Sequence, residues 1–403
     1  MENKVNQNRD IRNKDIQNTD VQNKVCRNKG VKLILMSVMF LLMCIPAFGK
    51  LVRLHQVYPI TENRERAQRP ALSQAWQALV DTGEYCSSFE DWFNDNFQLR
   101  DLLIRTKNQI QYSVFDLASG VYVGEEDYLY YESVVAAEQI YNEQLTDEQL
   151  DEIERLLIEL KERAEALGAE FYCMFPPQKN TAVPERAESL PVSRNSPNRY
   201  EQWCEQLKSG DLAECFVDVL PALQDAEKEY PTYYKTDFHW NSYGATVAFT
   251  ELVNQIAGEK IFSANEYQVV LKDWFQGGQL NNFSTLKAQG EPQVYTFKSE
   301  AITMVDRTGE GAMQPITNYL VNSSEAPLGT ALFIGDSYTL YLMYASSGVL
   351  DCFSEVYYVN MNYVDYTDYL SKVEYGAVDY ILFEKIESSM YNYDEILNKL
   401  LGK

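Results

Sequence analysis

Residues Ala331 to Ala345 read A-L-F-I-G-D-S-Y-T-L-Y-L-M-Y-A. A short apolar run, a glycine turn and then a longer apolar-aromatic stretch predict a buried strand that passes directly into a helix. Ser337 sits at the switch. A serine at such a junction is presented at the strand's end, where the helix N-terminus offers unpaired N–H groups and the positive end of its dipole. That setting suits an oxyanion on an acyl-transfer intermediate. Taken alone, the tripeptide Gly335-Asp336-Ser337 is a weak signal and reads more readily as a helix cap.

The pattern around this stretch repeats it. Val356 to Val359 and Tyr380 to Phe383 are apolar runs, each followed by a turn and a helix-like segment. Upstream, runs at Glu170 to Phe175 and Cys215 to Val219 alternate with helical patterns over Arg199 to Leu207 and Tyr243 to Ile256. Such alternation predicts an α/β fold: a three-layer, mostly parallel sheet with helices on both faces. Sites in such sheets lie at the C-terminal ends of the strands. Thr146 with Gln149 forms a capping box for a long helix that ends before Gly168, and Val121 to Gly124 with Tyr128 to Tyr131 reads as a hairpin. Residues 265–305 read as a β insertion of short antiparallel strands. Residues 50–116 read as a helical extension, with Ser73 capping a helix that Gly83 ends, and residues 117–403 as the main domain.

A second motif, T-D-F-H-W at Thr236 to Trp240, stands about a hundred residues before G-D-S. In an extended segment Asp237 and His239 share a side, so the carboxylate can accept from imidazole Nδ1–H and leave Nε2 to take a serine proton. This is the base-and-orienter pair of a catalytic triad. The chain has only two histidines, and the other, His55, has no partner motif.

With both motifs in hand, the order D-x-H first and G-D-S later resembles the circularly permuted SGNH-hydrolase fold of the alginate O-acetyltransferase accessory proteins and their Gram-positive relatives, the DHHW proteins. T-E-N-R-E-R-A-Q-R-P (Thr61 to Pro70), F-E-D-W-F-N-D-N-F-Q-L-R (Phe89 to Arg100), G-V-Y-V-G-E-E-D-Y-L-Y (Gly120 to Tyr130), F-Y-C-M-F-P-P-Q-K-N (Phe171 to Asn180) and D-Y-I-L-F-E-K (Asp379 to Lys385) are similar to that family's segments. Two positions depart from it. Phe238 stands where the family has a histidine, a change expected to be harmless because that residue should point away. Lys385 stands where an arginine is usual, and lysine lacks the bidentate fork.

The resemblance implies Ser337 as nucleophile, His239 as general base and acid, and Asp237 as orienter. The Ser337 N–H would be one oxyanion donor; Gly335, Asn360 and Asn362 are the oxyanion or substrate-binding candidates, the two asparagines also reading as turn residues. It implies an O-acetyltransferase that moves acetyl groups onto hydroxyls of exported or cell-wall polysaccharide, receiving them from a multispanning membrane O-acyltransferase. An acetyl esterase of the same fold, or a non-catalytic glycan-binding scaffold for the acyltransferase, are the alternatives. The tyrosine-rich stretches Tyr230 to Asp237 and Tyr357 to Tyr369 flank the two motifs and read either as sugar-stacking faces or as half-buried strand ends.

The N-terminus adds an address. Residues 1–30 carry an asparagine at every fifth position from Asn3 to Asn28, a period that fits neither helix nor strand, and read as a disordered cytoplasmic tail. Residues 31–49 form the one membrane-grade apolar segment, expected to act as a transmembrane signal anchor, with cleavage after Gly49 as the other outcome. Basic residues before it direct the N-terminus to the cytoplasm and residues 51–403 outside the cell. The chain carries 35 basic and 59 acidic residues, a net charge of −24. Nine of the basic and four of the acidic residues precede residue 51, so the exported body is more acidic still. Nucleic-acid binding is excluded on that balance, and neutral or zwitterionic glycans suit it better than strongly anionic ones. Cys86, Cys173, Cys204, Cys215 and Cys352 show no metal-ligand spacing. No metal or cofactor is implied.

Overall fold

The computed structural model describes residues 31–41, 44, 65–71, 82–97, 99–132, 145–191, 197–264, 270–276, 278–286, 290–295, 302–305, 316–345 and 347–403. The asparagine repeat and the Ser73-capped helix lie outside these residues. The chain divides into two compact units, Met1–Lys107 and Asn108–Lys403.

In the first unit, residues 31–41 are helical with exposed apolar side chains. Among the described residues no helix is long and apolar enough to cross a membrane. The expected anchor over 31–49 is therefore described only in its first part, which at about 1.5 Å per residue falls well short of a bilayer's apolar thickness. Helix α1 (Thr82–Asn96) runs through Gly83 instead of ending there. Arg66 grips Asp101 with both carboxylate oxygens, at 2.9 and 2.8 Å, at the start of helix α2 (Arg100–Phe115).

The second unit is built on a seven-stranded sheet. Its strands are β3 (Glu170–Met174), β4 (Phe216–Val217), β7 (Ile302–Val305), β8 (Asn318–Asn322), β9 (Leu328–Gly335), β10 (Phe353–Asn360) and β11 (Tyr380–Glu384), in the order β4-β3-β11-β9-β10-β8-β7. The first five of that order are parallel, and β8 and β7 close the edge antiparallel. The sheet is thus mixed: mostly parallel, as the sequence predicts, with an antiparallel edge that it does not. Ile302–Val305, read as part of the β insertion, pairs instead with β8 in the main sheet. What remains of the insertion is a hairpin of β5 (Val270–Gln276) and β6 (Gly290–Tyr295). A small separate hairpin joins β1 (Val121–Val123) to β2 (Leu129–Tyr131).

Apolar runs put the central strands in the core: Ala331, Leu332 and Ile334 of β9, Val356 and Val359 of β10, and Ile381 and Phe383 of β11 are all fully buried. Helix α3 (Asp147–Ala166) carries the predicted capping box at Thr146 and Gln149, and its Leu156, Leu157 and Leu160 are buried. It packs against helix α7 (Tyr393–Leu400) and β3, while helix α5 (Ser242–Ala257) packs against helix α6 (Ser337–Ala345). Helix α4 (Arg199–Ser209) contacts α3.

The strand order locates the site. From β9 the chain steps to β10 on one side, then returns to β11 on the other. Right-handed crossovers require these two connections to run over opposite faces, leaving a crevice beyond the C-terminal end of β9. Ser337 lies in that position.

Candidate active site

Sharp turning at the end of β9 is made possible by Gly335. A Cβ there would stand 2.6 Å from Glu384 Oε2 and 2.7 Å from Thr339 Oγ1, so only glycine lets the strand come this close to its neighbours. Asp336 then turns the chain: its Oδ1 accepts from Tyr338 N at 2.9 Å, and its Oδ2 accepts from Lys385 Nζ at 3.0 Å and Ile386 N at 3.2 Å. Tyr358 donates to its carbonyl. These bonds leave Ser337 as the first residue of α6, half-buried.

The D-F-H-W segment comes from before α5, whose N-cap Asn241 accepts from Tyr243 N and Gly244 N. His239 Nε2 lies 2.7 Å from Ser337 Oγ, and His239 Nδ1 lies 2.7 Å from Asp237 Oδ1. Both His239 and Asp237 are 1% exposed. With Nδ1–H donated to the carboxylate, Nε2 is left as acceptor for the serine hydroxyl. Burial works against the Asp237 charge. The bond and charge of His239, with N–H donation from Gln279 at 2.8 Å and from His239 itself, more than offset it and hold the carboxyl below its ordinary range.

Reciprocal bonds tie the two motifs together. Trp240 Nε1 donates to the Tyr338 carbonyl at 2.9 Å, and Tyr338 hydroxyl donates to the Phe238 carbonyl at 2.8 Å. The imidazole is walled by rings: Phe238 at 4.0 Å, Tyr341 at 4.4 Å and Tyr338 at 5.0 Å between centroids. Phe238 therefore does not point away, as an extended strand would have it. The segment bends, and its ring lies against His239.

The deciding observation for kinship is the combination of this order of motifs with a family model. The model, for an SGNH hydrolase-like domain of the acetyltransferase AlgX, matches residues 121–352, more than half of the chain. The chain belongs to that family. The resemblance of its motif order to the DHHW and alginate O-acetyltransferase proteins stands with it. "Probable alginate O-acetylase AlgJ" of Pseudomonas syringae pv. tomato is 25% identical over 192 residues, 46% of this chain and 46% of AlgJ. The chain thus spans about half the length of that curated relative. Among solved structures, a DHHW family protein from Eubacterium siraeum is 17% identical, with 64% of this chain and 91% of that one covered and a TM-score of 0.47. The O-acetyltransferase domain of Pseudomonas putida AlgJ is 16% identical over 68% of this chain and 92% of that one, TM-score 0.44. PatB1 of Bacillus cereus, as a sulfonyl adduct, is 15% identical over 62% and 93%, TM-score 0.44.

Within this AlgX-type domain the remaining candidates separate. Gly335 is buried, and its carbonyl accepts from Met361 N, so its place is in packing. Asn362 is exposed, and its N–H serves Asn360 Oδ1 at 2.9 Å, a turn role. Asn360 is fully buried, pairs in register with Gly335, and its Nδ2 has no partner among the described residues. An amide donor left unmatched beside the nucleophile turn is the feature an oxyanion site requires. The tyrosine-rich stretches divide too: Tyr233, Tyr234, Tyr358 and Tyr369 are buried, whereas Tyr363 stands exposed after Asn360; outside those stretches, Tyr344 of α6 is also exposed.

Two groups were not read from the sequence. Glu384 is fully buried; its Oε2 accepts from Asp336 N and from Thr339 Oγ1 at 2.7 Å, and its Oε1 has no partner among the described residues. Burial, with the neighbouring Asp336 charge, pushes it well above the carboxylate range. Asp336 suffers the same burial, but Lys385 and N–H donors carry it below the ordinary range. One ammonium under the turn thus pairs with one carboxylate, Asp336, and burial disfavours the charged form of Glu384. Lysine stands in place of the family's arginine here as a single side-chain donor to Asp336 Oδ2, the second bond to that oxygen coming from Ile386 N. The second unread group, Lys179, belongs to the P-P-Q-K-N segment and is 3% exposed.

Proposed function

We propose that the protein is a membrane-anchored, extracytoplasmic O-acetyltransferase acting on polysaccharide hydroxyls through an acyl-enzyme on Ser337. The observation that carries this reading is the buried relay Asp237–His239–Ser337, with 2.7 Å at each link. Ser337 Oγ attacks the donor's acyl carbon as His239 Nε2 takes the hydroxyl proton. The oxyanion is met by the Ser337 N–H at the α6 N-terminus and by Asn360 Nδ2. The bond to the donor's leaving oxygen breaks, His239 returns the proton to it, and acetyl-Ser337 remains. A sugar hydroxyl then gives its proton to His239 and attacks the ester; the bond to Ser337 Oγ breaks, His239 returns the proton to that oxygen, and the acetylated glycan leaves.

Exposed Tyr344 and Tyr363 supply faces on which a sugar ring can stack. The donor is assigned to a multispanning membrane O-acyltransferase, as the kinship with AlgJ-like and AlgX-like proteins suggests. Residues 31–49 are assigned as the anchor, with the N-terminus in the cytoplasm and residues 51–403 outside.

The test is covalent labelling with a serine-directed sulfonyl fluoride. Wild type is expected to be labelled once, at Ser337, and Ser337→Ala and His239→Ala to lose the label. Absence of label on wild type overturns the reading. Turnover of an acetyl ester should then accelerate when a neutral glycan is added. A rate set by water alone makes the protein an esterase instead.

A further inference from the structure

The segment Tyr234 to Asp237, which ends at the orienting carboxylate, is gripped from two sides by buried charges. On its carbonyl side, Lys179 Nζ donates to Tyr234 O at 2.9 Å, Asp237 O at 2.7 Å and Lys235 O at 3.3 Å. These three acceptors use all three of its protons. On its N–H side, Glu291 of β6 accepts from Lys235 N, from Thr236 N at 3.0 Å and from Thr236 Oγ1 at 2.7 Å. Gly278 N adds a bond to Thr236 Oγ1 at 3.1 Å, and Leu129 N of β2 one to Lys235 O at 2.9 Å.

Among the described residues no carboxylate forms an ion pair with Lys179; its ammonium bonds to carbonyls and lies over the rings of Tyr130 and Tyr128, at 4.9 and 5.6 Å. A buried lysine is costly where an apolar side chain would merely fill space. Here its charge is used on the backbone, and the matching negative charge stands across the same segment. We infer that Lys179 and Glu291 are positioning residues, a backbone-mediated charge clamp that fixes Asp237 and through it the tautomer and aim of His239. This rests on the triad reading above. It also gives the β5–β6 insertion a task, the delivery of Glu291.

Burial draws Lys179 down to about 7, against the pull of the Glu291 and Asp237 carboxylates. Those two groups and the Tyr128 and Tyr130 hydroxyls are the titratable groups facing it.

The test uses full-length protein in which histidine nitrogens are isotopically labelled, comparing wild type, Lys179→Met and Glu291→Gln. Two readouts are taken: kcat and KM for an acetyl ester, and the low-field Nδ1–H resonance of His239, with His239→Ala as its assignment. Folded Lys179→Met is expected to lose about tenfold to hundredfold in kcat with KM nearly unchanged, and its Nδ1–H signal should weaken or shift. Wild-type kcat and signal in the folded variant overturn the inference, as does a loss of kcat with an unchanged signal. If Lys179→Met does not fold, Glu291→Gln decides by the same criteria. If wild type itself turns over no ester, the triad reading falls, and the ring resonance alone still tests the clamp.

Discussion

Two buried aspartates stand behind Ser337, one its neighbour in sequence and the other reaching it through His239, yet they do different work. Asp237 and Asp336 are both 1% exposed and both held below the ordinary carboxylate range. Asp237 gives one oxygen to an imidazole whose far nitrogen touches Ser337, so its charge is felt by the group that gains and loses a proton. Asp336 gives its oxygens to Lys385 and to N–H groups, and no proton in the reaction passes through them. The same side chain at the same burial serves chemistry in one place and architecture in the other, according to whether its partner titrates during turnover.

The largest expected effect sharpens the first half of that contrast. Asp237→Asn keeps the shape but presents the imidazole with the wrong partner, and kcat should fall about 10⁴-fold while the melting temperature stays close to wild type. Steady-state kinetics alongside calorimetry checks both parts; a large loss of stability would move Asp237 into the architectural class. Asp336→Asn should do the reverse. It leaves the Lys385 ammonium buried without its counter-charge, costing about 3–5 kcal/mol of stability, and denaturant unfolding is the measurement. If the variant is as stable as wild type and simply inactive, the contrast fails.

Glu384→Gln is expected to give the smallest effect, and it depends on pH. The unfolded carboxyl titrates near 4.3, while the folded one is raised. Between those values the native chain keeps a proton that the unfolded chain has released, so wild-type stability declines as pH rises through that window. The glutamine variant should lack this slope. Identical slopes for the two proteins would mean Glu384 is ionised in the fold and Lys385 is shared between two charges.

Much of this was legible in the residues themselves. The strand-turn-helix at Ser337 and the capping box at Thr146 are local patterns, and the D-x-H spacing is short enough to read directly. Other features depend on distant partners. Asn318–Asn322 is a strand only because β10 and Ile302–Val305 flank it, and nothing in N-Y-L-V-N announces an antiparallel edge. The bend that lays Phe238 on His239 is held from the other motif, by Trp240 donating to the Tyr338 carbonyl and Tyr338 donating to the Phe238 carbonyl. Lys179 and Glu291 act through carbonyls and amides, which every residue owns, so no side-chain pattern points to them. The P-P-Q-K-N segment marks Lys179 only by resemblance, and Glu291 has no comparable signal.

The position of β9 has a temporal consequence. Its two neighbours in the sheet, β10 and β11, are both made after it, and the bonds that join Trp240 to Tyr338 span 98 residues. A chain growing from its N-terminus therefore carries His239 before it carries Ser337, and the turn before Ser337 lacks its partners Glu384, Lys385 and Ile386 until they too have been synthesised. Contacts this remote form late in folding. On the proposed mechanism, products that stop short of β11 are expected to show no ester reactivity, which a truncation series checks.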